Sequence, residues 1–315
     1  MSKARPLRRA VALVLLLGLA ALVWTFLPLR LPEPTPHAGE LPPASPPAGM
    51  SLSALPTGAM HSRAMFAYRG GGIGEARDFS MTALLIRHPR GDLLVDTGFG
   101  RDVDAHVATT PRLAQALTRY TKGVPAAAQL KANGIEPASL AGVVLTHGHW
   151  DHVSGLDGLA DAPVWITPEE RAFVRDGGDR TALLRSFTDL RWHEYRFEER
   201  EYLGFPRSLD VWGDGSVVLV PAPGHTPGSI IVFVALPSGA RYALLGDLVW
   251  QLEGITRPAE RPWFARRMLR EDDAQIRAGI ARIAALQRRF PQLQLVPAHD
   301  ERAFRGIPVF PAAAN

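Results

Sequence analysis

Three imidazoles and a carboxylate fall within six residues in Thr146-His147-Gly148-His149-Trp150-Asp151-His152. No fold can bury so many polar side chains on one tight turn without giving them partners. The apolar run 141–145 before the cluster reads as a buried strand, and residues 153–156 after it as the first turn of a helix. The cluster therefore belongs on a loop leaving the carboxyl end of a strand, where α/β sheets present their sites. One loop cannot close a metal coordination sphere, so more ligand-type residues are expected at other strand ends.

They are present. His225 lies in the glycine- and proline-rich turn 221–229 after the strand 217–220, Asp247 follows the apolar run 243–246, and His299-Asp300 follows 293–298. A fourth strand, 92–95, ends in Asp96-Thr97-Gly98. Each obeys one grammar: apolar strand, small residue, ligand.

His-x-His-x-Asp-His followed by His225, Gly246-Asp247 and His299 resembles the metallo-β-lactamase fold superfamily of metallohydrolases, over about residues 63–305. That resemblance implies an α/β fold, the αββα four-layer sandwich. It also implies that His147, His149 and His225 hold one metal and Asp151, His152 and His299 a second, with Asp247 bridging. Nitrogen and carboxylate donors suit two zinc ions, with iron or manganese as other fits. Two ions roughly 3.5–4 Å apart would clamp a bridging hydroxide for attack on an ester, lactone, thioester or phosphodiester. Asp151 or Asp247 would then move a proton to the leaving group. Asp96 is expected to cap its turn or to brace a metal-binding histidine, and Asp300 to orient a ligand or cap its loop. Trp150 is expected to shield the metal loop from solvent or to wall the pocket, and Trp250 to wall the pocket.

Departures from the family pattern narrow the chemistry. The chain has no cysteine, which excludes the β-lactamase subclasses that bind a metal through one. Glyoxalase II enzymes append a helical domain, for which too few residues follow His299. The pattern is most similar to the N-acyl-homoserine lactonase-like branch, but those lactonases carry a tyrosine where this chain has Trp250. The expectation is a dinuclear metal-dependent hydrolase of a small-molecule ester or lactone. The alternatives are another hydrolysis of the superfamily (thioester, β-lactam or phosphodiester), a di-iron redox enzyme or a non-catalytic sensor.

Lys3, Arg5, Arg8 and Arg9 precede residues 10–29, which carry no charge. Twenty such residues are long enough to cross a bilayer, and the basic flank places the amino terminus in the cytoplasm. Residues 1–30 are therefore expected as a signal anchor (or a signal peptide) and the repeated prolines of 31–57 as an extended linker, with the hydrolase domain at 58–315. The enzyme is then extracytoplasmic, tethered to the membrane, or secreted if the segment is cleaved. With Arg30, five positive charges and no acid lie in this N-terminal segment, so the net +4 falls to about −1 for the rest. A near-neutral body lacks the footprint of a nucleic-acid partner.

Elsewhere, 62–68 and 80–87 read as strands, 111–122, 124–132 and 271–289 as helices, and Thr167-Pro168 as a helix start. The aromatics of 187–212 read as core and sheet packing, with a pocket wall as the alternative. His37, His61, His88, His106 and His193 lack the strand-end context and read as surface or packing residues.

Overall fold

Strand side chains point alternately to opposite faces, so an uninterrupted apolar run supplies two layers at once. In the computed structural model, which describes residues 4–33 and 35–315, these runs build two sheets. The first contains β1 (Ser51–Arg63), β2 (Ala76–Arg87), β3 (Leu93–Val95), β4 (Arg119–Lys122), β5 (Gly142–Val144), β6 (Pro163–Ile166) and β7 (Arg191–Glu194). Their order is β4-β1-β2-β3-β5-β6-β7. The second contains β8 (Leu209–Asp210), β9 (Val217–Pro221), β10 (Ile230–Ala235), β11 (Arg241–Gly246) and β12 (Leu293–Pro297), in the order β12-β11-β10-β9-β8.

Alternation assigns the layers. Leu84 and Ile86 of β2 meet Ile230 and Val232 of β10 and Leu244 of β11 between the sheets. Their neighbours Ala83 and Leu85 face outward and pack with Leu130, Val174 and Leu184 of the outer helices. On the second sheet Ala243 and Leu245 face Ile276, Ile280 and Ile283 of the helix Asp273–Arg289. That helix starts two residues later than the 271 read from the sequence, because Asp272 caps it, accepting hydrogen bonds from Ala274 N–H and Gln275 N–H. The result is the αββα sandwich.

The structure differs from the sequence reading at three places. β1 begins at Ser51, inside the stretch read as linker, and ends at Arg63, where a helical turn, Ala64–Ala67, replaces the expected end of a strand. Pro56 disguised this strand. It sits at a bulge, where the register shifts between Pro56 and Gly58 and a proline is tolerated. The bulged Thr57 donates its hydroxyl to Met81 O (2.6 Å) and accepts Phe99 N–H (2.7 Å). Second, residues 111–122 are a short helix, Arg112–Leu117, and then β4, because Tyr120 and Thr121 pair with Met60 and Ala59 of β1. Third, the proline-rich stretch is no spacer. Leu31 N–H donates to Pro258 O (2.8 Å), Arg241 donates to Pro42 O (2.8 Å) and Ser45 N–H to Asp214 O (2.7 Å), while Leu31 and Leu41 pack on the second sheet's outer core. It is a strap laid along the body.

β1 is closed on its other edge by residues far away in sequence. Leu52 bridges Ala314, Ala54 bridges Val309, and Ser53 Oγ donates to Ala312 O at 2.7 Å.

The N-terminal helix spans Ala4–Phe26, and its stretch Arg8–Phe26 has a mean hydropathy of 2.2 with almost all of it exposed. By length and composition it can cross a membrane. Its last turn is fixed to the body. The buried Arg69 donates to Trp24 O (2.9 Å) and Leu27 O (3.1 Å), its guanidinium lies 4.6 Å from the centre of the Trp24 ring, and Gly70 N–H donates to Phe26 O (2.9 Å). These donors satisfy carbonyls that a helix end leaves open.

Candidate metal centre

β3 runs parallel to β5, and β11 parallel to β12, so the loops that follow them emerge along one edge of the sandwich. The first pair delivers Asp96 and residues 146–152; the second delivers Asp247 and His299; the turn after β9 adds His225. Two glycines let the backbone do this. Gly246 has φ +51° and a Cβ there would press on the Thr146 side chain, while Gly224 has φ +132° against the backbone of Ile276.

All seven residues expected as ligands converge. His147, His149 and His225 present nitrogens within 4.8 Å of one another, as do the donor atoms of Asp151, His152 and His299. Asp247 lies between the groups. Its Oδ2 is 3.3 Å from His225 Nε2 and 3.9 Å from His147 Nε2; its Oδ1 is 3.2 Å from His152 Nε2 and 3.1 Å from His299 Nε2. Asp151 Oδ2 is 3.4 Å from His299 Nε2.

Outer contacts fix which nitrogens face inward. His152 Nδ1 is 2.8 Å from Asp96 Oδ2, His225 Nδ1 is 2.6 Å from Glu271 Oε1, and His299 Nδ1 is 3.1 Å from Ser80 O. Opposite an oxygen acceptor each Nδ1 is the protonated nitrogen, which leaves the Nε2 lone pairs aimed at the centre. Asp96 both caps and braces. It holds a left-handed φ of 52°, accepts Thr146 N–H and Thr146 Oγ1–H (2.7 Å each), and meets His152. Asp300 caps its loop and orients no ligand: it accepts Leu252 N–H (2.9 Å) and Arg302 N–H (3.1 Å) and pairs with Arg302, forming no hydrogen bond to any of the seven.

Three supports went unread in the sequence. Glu271, which also pairs with the buried Arg261, has no signal beyond its place in an acidic run. Glu170 follows the helix-capping Thr167 by three residues, the spacing of a capping box. Its carboxylate turns away from the helix, accepting Gly148 N–H (2.7 Å), Gly228 N–H (2.9 Å) and Thr226 Oγ1–H (2.7 Å), and so joins the first metal loop to the His225 turn. His61, read as a surface or packing residue, lines the cleft, held by Asp78 and Thr121 at 2.7 Å each.

Burial, then the neighbouring His152 and His225, pushes His147 well below the ordinary imidazole range, and burial and His225 do the same to His149. Burial opposes the charging of His152 and His299, but Asp247 outweighs it and raises both. Asp247 itself is held well below the usual carboxylate range by His299 and His152 against the cost of burial. Imidazole nitrogens crowd together in the first group: His149 Nδ1 lies 3.1 Å from His147 Nε2 and 2.9 Å from His225 Nε2, while His149 Nε2 is buried without a partner. Asp247 Oδ1 is buried without a hydrogen-bond partner. Nitrogen-rich and carboxylate donors that crowd together and leave such atoms unsatisfied fit divalent cations, which would take the place of protons.

A cleft opens over the centre. Trp150 and Trp250 line it as expected, with Phe66, Phe79, Met268 and Arg180. Trp250 also braces the centre, since its Nε1–H donates to Asp247 Oδ2 at 2.8 Å. The aromatics of 187–212 line none of it. Phe187 and Trp192 pack on the first sheet's outer core, Tyr195, Phe197 and Trp212 between the sheets, and Tyr202 and Phe205 on the second outer core.

Comparison with known proteins agrees with this architecture. The model of the metallo-beta-lactamase superfamily matches residues 77–299. The N-acyl homoserine lactonase AttM of Azorhizobium caulinodans is 30% identical over 195 residues, covering 58% of this chain and 70% of the relative. A probable metallo-hydrolase of Mycobacterium bovis is 30% identical over 230 residues, covering 69% of this chain and 73% of its own length. Among solved structures, an N-acyl homoserine lactone hydrolase with N-hexanoyl-L-homoserine at its catalytic metal centre superimposes with a TM-score of 0.66 at 18% identity, over 84% of this chain and 98% of that one. The dizinc lactonase AidC gives 0.52 at 14% identity, over 84% and 92%.

Proposed function

The chain belongs to the metallo-β-lactamase superfamily, and from that premise we propose that it is a two-metal, zinc-dependent hydrolase of small-molecule esters or lactones. One observation carries the reading: the two oxygens of Asp247 face two separate groups of donor atoms. His147, His149 and His225 would hold one ion, and Asp151, His152 and His299 the other, with Asp247 shared. Such ions supply Lewis-acid polarisation of an acyl oxygen and a water activated at neutral pH.

The chain's own residues do the rest. Trp250 and the Glu271–His225 pair hold the shared carboxylate and one imidazole in a single orientation. Asp151, which reaches the cleft, passes a proton to the departing oxygen. The Trp250 N–H is committed to Asp247, so it is not free to polarise the substrate carbonyl as a phenol at this position would. The lactonase relatives support a lactone as the substrate.

We further propose that residues 1–30 remain as an anchor with the body outside the cytoplasm, supported by the exposed apolar helix behind a basic flank. The test is a panel of lactones, aryl esters, β-lactams, a glutathione thioester and a phosphodiester on protein of measured metal content. Two zinc ions per chain with lactone or ester turnover is the expected result; redox-active iron with oxidase turnover would replace this reading. For the anchor, full-length protein recovered uncleaved from the soluble fraction would sink the idea.

A further inference from the structure

We propose that the mouth of the cleft rests on the bilayer crossed by the N-terminal helix and draws its substrate from it: an amphiphilic ester or lactone with a long acyl chain dissolved in the lipid. This deepens the anchored-hydrolase reading above and rests on it.

The argument begins at the joint between helix and body. Phe26, in the last turn of the N-terminal helix, meets Phe66 edge to face with ring centres 6.0 Å apart, and Phe66 is a wall of the cleft. The same helix packs against the helix Trp263–Leu269, whose Met268 lines the cleft. With Arg69 holding the carbonyls of Trp24 and Leu27, and Leu31 already bonded to Pro258, no free tether separates membrane helix from mouth. The nineteen-residue apolar stretch is about 28 Å long at 1.5 Å per residue, close to the roughly 30 Å hydrocarbon thickness. Its end, marked by Trp24 at the depth where tryptophans settle, therefore emerges at the interface beside the opening.

The rim is built for such a surface. Leu113 and Leu117, on the helix Arg112–Leu117, are each 54% exposed; Trp263 is 49% and Met268 37% exposed. Two short helices thus flank the mouth and turn large apolar side chains outward, and one of them, Trp263–Leu269, packs against a helix whose own leucines are bare. Apolar surface continuous from a membrane helix to a catalytic cleft is covered most simply by the same lipid. The reaction needs no co-reactant beyond water: its oxygen adds to the acyl carbon, the acyl C–O bond breaks, one proton goes to the departing oxygen and the other to solvent, leaving a carboxylate and a hydroxyl. Both product groups are more polar than the bond they replace, which favours release from the apolar mouth into water.

The absence of native cysteine permits clean single-site labelling of the full-length, zinc-loaded protein in phosphatidylcholine vesicles. A fluorophore on Leu113→Cys should be quenched by a nitroxide borne near the lipid headgroups. One on Ser238→Cys, in the β10–β11 turn at the opposite end of the strands from the site, should not. In the same vesicles, the double variant Leu113→Glu/Trp263→Glu should turn over butanoyl-homoserine lactone unchanged and lose about tenfold on the tetradecanoyl compound, as loss of apolar contact with lipid demands. Equal quenching at the two positions, or equal loss on the two lactones, overturns the proposal. Quenching at 113 without turnover of any lactone leaves the mouth on the bilayer and overturns the lactone reading instead.

Discussion

Asp247 is the side chain on which the centre depends, because each of its oxygens serves a different group of imidazoles. Asp247→Ala should bring metal content below two per chain and abolish most activity while the circular dichroism spectrum stays native. Retention of both ions and full turnover would show that the shared position is elsewhere. Glu271→Gln keeps the shape but gives up the charge that fixes His225 and pairs with Arg261. Zinc affinity, read by competition with a chelator, should fall roughly 10–100-fold, the usual cost of disturbing a group behind a metal ligand. Trp250→Phe separates the two roles of that indole. Retaining the ring but losing the N–H to Asp247, it should lower kcat and zinc affinity more than it raises KM; a pure KM effect would reduce Trp250 to a pocket wall. The seven converging residues were legible because each stands at a strand end in a short polar turn. Glu271, Glu170 and His61 were not, since they come from a turn between helices, a helix and the end of β1, where an acid or a histidine looks like ordinary surface.

At the scale of elements, the loops are tied to one another by a buried carboxylate. Glu170 accepts two backbone N–H groups and a hydroxyl from both sides of the centre, and losing it orphans all three donors. Glu170→Ala should cost about 3 kcal/mol or more. At roughly 2–4 °C per kcal/mol for a chain of this size, Tm should drop by about 6–12 °C in a thermal melt. A change within error would mean water replaces the carboxylate without penalty. Most strands were readable because their apolar runs are continuous. The misreadings had local causes: Pro56 is tolerated only because a bulge accommodates it, and 119–122 becomes a strand only because β1 offers it an edge. The strap too is a tertiary fact, invisible in a proline-rich composition.

On the scale of the molecule, the centre staples the two sheets together: His147, His149, Asp151 and His152 come from the first, and His225, Asp247 and His299 from the second. Zinc at about 100 times its Kd should therefore stabilise the fold by about 2.7 kcal/mol for each site filled. The check is a Tm that rises with free zinc and falls on chelation; a Tm indifferent to zinc would mean the ions contribute nothing to holding the sheets together. A last consequence concerns time and place. The first half of β1 is closed by residues 309–314, so a strand made early waits for partners made more than 250 residues later, and contacts of such separation form late. His299 arrives in that same late stretch. While the chain is being made, the second group of donors still lacks His299. The ion is therefore chosen where the fold closes, and if the body finishes folding beyond the membrane, it is the metal supply on that side that decides what this protein carries.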